Sequence, residues 1–409
     1  MSRARRPAPD DDLWASRRRH PTAKPVRPRK RSKTFGALLA IICTLDLLGL
    51  VMVLSASSVA ALDDYGSSWY VVMRQGMWLL LGVLACGFLL RIDYHRWRRL
   101  AVPALALSGV ALALVLVPGV GVSVNGASRW LGYGPFSVQP SELAKLAVLV
   151  FVADLLARRA AWMGDSRLTL VPVLAVFAPT AVLVMAQPNL GTTIVLGAIV
   201  LALLFVAGTP LLPLSTLAAV GAVAATGLAL LAPYRRARVL AFLDPWGDVE
   251  NTGYQNIQSL VGIASGGITG TGLGESRAKW GFLPEAHTDF IFAIIGEELG
   301  LVGALCVVAL FAGLCIFGVR AALLAPDRFG MLLAAGVTAW FGTQAFVNIG
   351  AVIGILPITG VPLPFVSYGG SSLLFSMMGA GLLLNVARQA RLPDERRARV
   401  APPRSAARR

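Results

Sequence analysis

Apolar stretches of about 20 residues recur ten times along the chain, near 36–61, 73–91, 99–120, 141–158, 168–187, 190–208, 212–233, 287–319, 329–355 and 366–387. Runs of this length cross a hydrocarbon core roughly 30 Å thick. Inside lipid they must be helical, because each backbone polar group needs a partner within its own segment. The sequence therefore predicts an all-α, polytopic integral membrane protein of about ten transmembrane helices. Charged residues make up only 14% of the chain, against roughly 25% in soluble domains. An ordinary soluble enzyme is excluded.

A net charge of +16 would suit a nucleic-acid partner if it covered the core. Instead residues 1–34 carry +9 and residues 388–409 carry +6. Basic tails beside membrane spans read as cytoplasmic anchors near anionic lipid, and no nucleic acid is expected. Residues 1–34 are expected to be a basic disordered cytoplasmic tail rather than a cleavable signal. Residues 35–387 form the membrane domain, with a large extracytoplasmic loop at 234–286, and 388–409 a second basic cytoplasmic tail. The short loops 92–98, 159–167, 209–211 and 320–328 are rich in arginine and read as cytoplasmic, leaving 62–72, 121–140, 188–189, 234–286 and 356–365 outside. Arg129, Arg235, Arg236, Arg238, Arg277 and Lys279 then stand on the outer side against the rule, and each invites a functional explanation. Cys43, Cys86, Cys306 and Cys315 lie in apolar runs without metal or disulfide spacing and read as small buried hydrophobes.

Four constellations bear chemistry. His287–Phe290 reads H-T-D-F. Its Asp289 either caps a helix beginning there or, at an apolar boundary, accepts a proton. Asn125–Trp130 (N-G-A-S-R-W) precedes Gln139–Lys145 (Q-P-S-E-L-A-K). Glu142 and Lys145 sit three apart on one helical face, as a simple pair or as a functional one, and Arg129 offers a planar fork for phosphate. The run Gly266–Gly274 lacks the lysine of a P-loop and the strand of a dinucleotide site; Arg277 and Lys279 follow it, suiting anion contact. Leu363–Ser372 (L-P-F-V-S-Y-G-G-S-S) exposes backbone N–H groups at a helix start or packs helices together. Glu297 and Glu298 lie off the Asp289 face and read as interior hydrogen-bonding residues.

These motifs, with S-A-S-S at Ser55–Ser58, Q-P-N-L-G-T at Gln187–Thr192, Y-R-R-A-R-V, G-Y-Q-N-I-Q-S-L and L-P-E-A-H-T-D-F-I-F-A-I-I-G-E-E-L-G, resemble the SEDS family (shape, elongation, division, sporulation) over roughly residues 36–388. The resemblance implies ten helices with both termini cytoplasmic, and a peptidoglycan glycosyltransferase that polymerises lipid II at the outer face of the plasma membrane. It matches the family's essential acid to Asp289 and its charged pair to Glu142 and Lys145. Arg129, Lys145, Arg277 and Lys279 become candidates to offset pyrophosphate charge, alone or with a divalent cation (Mg or Mn) for which Asp289 is the candidate ligand. His287, Ser367, Gly369 and Gly370 complete the expected substrate-contacting set. No organic cofactor is implied. The family usually has Asp where this chain has Asn189, which puts an acidic role there in doubt. Expected partners are a class B penicillin-binding transpeptidase and other division proteins at the septum. A division-type role is favoured, with an elongation-type polymerase, a lipid II transporter and a non-catalytic scaffold as the alternatives.

Overall fold

A computed structural model describes residues 33–390 apart from 125, 126, 134, 135 and 163. Nearly all of both basic tails, and Asn125 and Gly126 of the N-G-A-S-R-W motif, lie outside the described residues. The helices are α1 (Lys33–Tyr65), α2 (Tyr70–Arg91), α3 (Ala101–Val115), α4 (Pro140–Arg158), α5 (Ser166–Ala186), α6 (Leu190–Ala207), α7 (Leu211–Leu231), α8 (Pro233–Leu243), α9 (Tyr254–Gly266), α10 (Ile291–Leu323), α11 (Arg328–Val352) and α12 (Gly370–Gln389). Among the described residues nine segments are long and apolar enough to cross a membrane. The 19-residue α4 supplies the tenth, set apart only by Glu142, Lys145, Asp154 and Arg158. The ten expected runs thus appear in order.

Helix starts follow local chemistry. Pro140 occupies the first turn of α4, where its missing N–H costs nothing. Asp165 and Asp327 cap α5 and α11. Asn189 caps α6, its Oδ1 accepting from the Thr192 amide (3.2 Å). An amide oxygen caps as well as a carboxylate, so the departure from Asp keeps that task. The buried face of the bundle centres on α11, where Trp340 and Phe341 are fully enclosed. Its outer face is apolar, as lipid requires; α7 buries only Leu214.

Three expectations need correction. The loop expected at 121–140 carries a three-stranded antiparallel meander, β1 (Val122–Val124), β2 (Ala127–Tyr133) and β3 (Phe136–Val138), with Val122 opposite Trp130 and Leu131 opposite Val138. β1 and β3 have three residues each, too short to announce themselves by alternation, and β2 (A-S-R-W-L-G-Y) does not alternate polar with apolar. The helix expected from 287 begins at Ile291, and that expected from 366 at Gly370. In both places a side-chain-braced turn holds the backbone out of the helix. Only Cys86 among the cysteines is buried; Cys43 and Cys306 are exposed on the outside of the bundle, and all four are free.

The loop expected at 234–286 holds most of α8, all of α9 and a short irregular turn, Ala278–Phe282. Its Gly-rich run packs on α10 where that helix breaks at Gly300 (φ +66°). The Thr271 and Gly272 amides donate to the carbonyls of Glu297 and Glu298 (3.0 and 3.1 Å), and the Leu301 amide donates to Gly267 O (2.9 Å). A Cβ on Gly270 would lie 2.1 Å from Glu298 O, so only bare backbone can approach and satisfy the broken helix. This places the run in a structural contact with α10.

Candidate active site

Asp289 does not cap α10. The residue at the cap position is Phe290, and no side chain bonds the helix start. Asp289 instead ends a tight turn whose pivot, Glu285, has φ +58°, a left-handed conformation costly for a residue with a Cβ. The Glu285 carbonyl accepts from the Thr288 and Phe290 amides (3.1 and 3.3 Å), and its carboxylate accepts from Thr288 Oγ1 (2.7 Å). A strained, cross-braced turn of this kind aims a side chain rather than continuing a helix.

Two amides on α11 support the turn from inside. Asn348 Nδ2 donates to the carbonyls of Asp289 (2.8 Å) and Val361 (2.9 Å). One turn earlier Gln344 Nε2 donates to Pro362 O (2.8 Å), while its Oε1 accepts from Trp340 Nε1 (2.7 Å) and Lys145 Nζ (2.8 Å). Lys145 also pairs with Glu142 at 2.9 Å and lies 5.0 Å from the Trp340 ring centroid. Glu142 and Lys145 are 2% and 1% exposed, so the pair works inside the bundle. A chain of buried polar contacts therefore runs from α4 through α11 to the backbone that carries Asp289.

Around the carboxylate the charges are mixed. Burial pushes the Asp289 carboxyl up to about 6, Glu285 adds to the rise, and Arg238 and Arg129 oppose it. Gly360 (φ +69°) faces it, and a Cβ there would lie 3.4 Å from Asp289 Oδ2 and 3.9 Å from Arg238 Nη1. Arg238 rises from α8, its guanidinium 4.7 Å from the Tyr234 ring centroid and bonded to Ile358 O (3.4 Å). Arg129 on β2 donates to the carbonyls of Gln187 (3.0 Å) and Pro188 (2.8 Å), and burial lowers its pKa. Arg129 and Arg238 thus act on the acid through their charge, from two separate elements.

The remaining expected residues sit elsewhere. The Arg277 side chain is exposed, and its amide donates to Glu297 Oε1 (2.8 Å). Lys279 is buried, its ammonium on the Gly274 carbonyl. Glu297 also accepts from Ser276 Oγ (2.5 Å), and Glu298 accepts from Ser55 Oγ (2.6 Å). Both acids are interior hydrogen-bonding residues, as their helical angle implies. The His287 carbonyl accepts from the Tyr368 amide (2.9 Å), its ring stands 5.4 Å from that of Tyr368, and burial lowers its pKa. Ser367 is buried, its Oγ accepting from the Leu363 amide (2.8 Å). The Gly369 amide donates to Gln75 Oε1 (3.4 Å), and Gly370 packs on Trp78. Ser367, Gly369 and Gly370 therefore fasten the start of α12.

The donor set at Asp289 does not fit a divalent cation held by the protein alone. No group of three His, Cys, Asp or Glu side chains gathers among the described residues, and two guanidinium groups oppose the acid. Hard cations take about six oxygen ligands.

Arg238, Asn348, Gln344 and Thr359 complete the site beyond the residues expected from sequence. Arg238 gave a signal as an outer-side cation. The two amides gave a weaker one, four residues apart in an apolar helix and so on one face.

A family model for cell cycle proteins of the FtsW, RodA and SpoVE type matches residues 36–392. Stage V sporulation protein E of Bacillus subtilis is 42% identical over 361 residues, 88% of this chain and 99% of that one. The probable peptidoglycan glycosyltransferase FtsW of Mycobacterium tuberculosis is 46% identical over 372 residues, 89% of this chain and 71% of that one. Among solved structures, a chain of a peptidoglycan synthase complex that coordinates polymerization and crosslinking aligns with TM-score 0.68 at 33% identity, covering 86% of this chain and 96% of that one. The rod shape determining protein RodA of Thermus thermophilus aligns with TM-score 0.63 at 31% identity, covering 86% and 96%. The chain belongs to the FtsW, RodA and SpoVE family, the family its motifs resemble.

Proposed function

We propose that this chain is a peptidoglycan glycosyltransferase of the division type, polymerising lipid II at the outer face of the plasma membrane. The observation that carries the reading is Asp289. It is a half-buried acid with a pKa raised to about 6, held beside Arg238 and Arg129 at the start of a membrane helix. Curated relatives named as peptidoglycan glycosyltransferases support the reaction class.

The chemistry is a displacement at an anomeric carbon. The acceptor sugar's 4-hydroxyl attacks that carbon, and the bond from carbon to the lipid pyrophosphate oxygen breaks. The hydroxyl proton passes to Asp289, and the new glycosidic bond forms with inversion. A carboxylate with a pKa near 6 is ionised at neutral pH yet basic enough to share the proton as the bond forms. Arg238 and Arg129 are placed to offset the charge that grows on the leaving pyrophosphate. With the arginine-rich short loops inside, Asp289 and these cations lie on the outer side and both tails in the cytoplasm. A single-span penicillin-binding transpeptidase is the expected partner, and the septum the expected site.

The test is reconstitution of the chain with such a transpeptidase in vesicles carrying lipid II on the outer leaflet. The expected product is a glycan polymer. Translocation of lipid II without polymer would replace this reading with a transporter, and a septal rather than side-wall fluorescent fusion separates the division role from elongation.

A further inference from the structure

Between α11 and the segment that follows it lies a cavity of about 10 Å³, lined by Asp289, Phe290, Asn348, Ala351, Val352, Ile358, Thr359, Gly360 and Val361. Most of these residues are apolar or present only backbone. Three bring polar side chains: the Asp289 carboxylate, Asn348 and Thr359. Asn348 is 3% exposed. Its Nδ2 is fully used on two carbonyls, but its Oδ1 is buried with no partner in the protein. The Thr359 Oγ1 is likewise buried with no partner. Orphaned buried polar atoms are costly, and native structures seldom tolerate them.

The three groups share one complement. A volume of this size is that of a single water, which needs two to four polar partners. Asp289 and Asn348 Oδ1 are both acceptors, and the Thr359 hydroxyl can donate. One water would donate to the carboxylate and to the amide oxygen and accept from the hydroxyl, so each orphan would be satisfied by one molecule. A divalent cation would find too few oxygens here, and an apolar guest would leave both orphans buried. We infer that Asn348 and Thr359 build a binding site for one ordered water on Asp289, and that this water holds the carboxylate in its ionised form.

The inference rests on Asp289 acting as the base. It makes Asn348 and Thr359 positioning residues, acting through the water. The charged groups facing Asp289 are Glu285 on its own turn, Arg238 from α8 and Arg129 from β2. None of them lines the cavity. A donated hydrogen bond favours the ionised form. Losing the water therefore raises the Asp289 pKa further and moves the acid limb of the rate profile to higher pH.

The test pairs Thr359→Val, which keeps the shape and removes the hydroxyl, with Thr359→Ser, which keeps the hydroxyl. The expected result for Thr359→Val in the reconstituted polymerisation assay is a fall of about tenfold in kcat with KM little changed. Its acid limb moves to higher pH, and Thr359→Ser recovers the wild-type profile. Wild-type kcat and acid limb in Thr359→Val would overturn the inference, as would a loss that Thr359→Ser does not recover. An experimental density map of the wild-type protein, fine enough to place solvent, gives a readout independent of activity. Density bridging Asp289, Asn348 and Thr359 is expected. A cavity without it overturns the water site even if the chain polymerises lipid II. Failure of the wild type to polymerise would instead overturn the reading of function while leaving the map to judge the site.

Discussion

Asp289→Asn removes polymerisation by a factor of about a hundred to ten thousand, the range a positioned general base contributes, while the protein still folds. The backbone contacts that hold the residue explain the second half of this expectation. Asn348 bonds the residue 289 carbonyl rather than its side chain, and the turn is braced through Glu285 and Thr288. Asparagine keeps the shape and loses only the capacity to take a proton. The measurement is the initial rate of lipid II consumption by equal amounts of folded wild-type and variant protein with the transpeptidase. Thermal unfolding of both in detergent serves as the control.

Lys145→Met acts on stability first. The substitution leaves Glu142 buried at 2% exposure without its 2.9 Å partner and removes one donor from Gln344. Breaking a buried pair by removing one member costs about 3–5 kcal/mol, because an uncompensated charge stays behind. The unfolding temperature of Lys145→Met in detergent falls accordingly. Lys145→Met combined with Glu142→Gln recovers much of the loss, since no charge is then stranded. A double variant as unstable as the single one would show that the pair does not act as a unit. The buried contacts through Gln344 and Asn348 also connect this pair to the Asp289 turn, so activity declines along with stability in the single variant.

The membrane helices were legible because length and apolarity leave a spanning segment little choice of structure. Even α4, the most densely charged of them, was visible from its apolar remainder. Asp289 was legible as an acid at an apolar boundary and through the family resemblance. The turn that presents it was not, because Glu285 at positive φ follows from tertiary bracing rather than from local preference. Glu142 and Lys145 were readable as a pair from their spacing, but their enclosure depends on Trp340 and Gln344, nearly 200 residues away in sequence. Separation in sequence likewise hid Asn348, Gln344 and Thr359, whose roles exist only once α11 packs beside the turn. The Gly-rich run offered a flexible anion contact by sequence, whereas its partner proves to be the broken backbone of α10 at Gly300. In the 121–140 loop, β1 and β3 were too short for alternation to report, and the longer β2 does not alternate.

In the proposed reaction an ionised Asp289, with its pKa held near 6 by burial and Glu285 against the pull of Arg238 and Arg129, takes the acceptor's proton. The direct measurement is kcat against pH for the wild-type protein with its transpeptidase on lipid II. The base must be ionised to work, so the rate is full above its pKa and falls tenfold per pH unit below it. A single acid limb centred at about pH 6 is expected. A kcat that stays flat from about pH 8 down to about pH 5 would contradict it, because a base with this pKa could not remain ionised over that range.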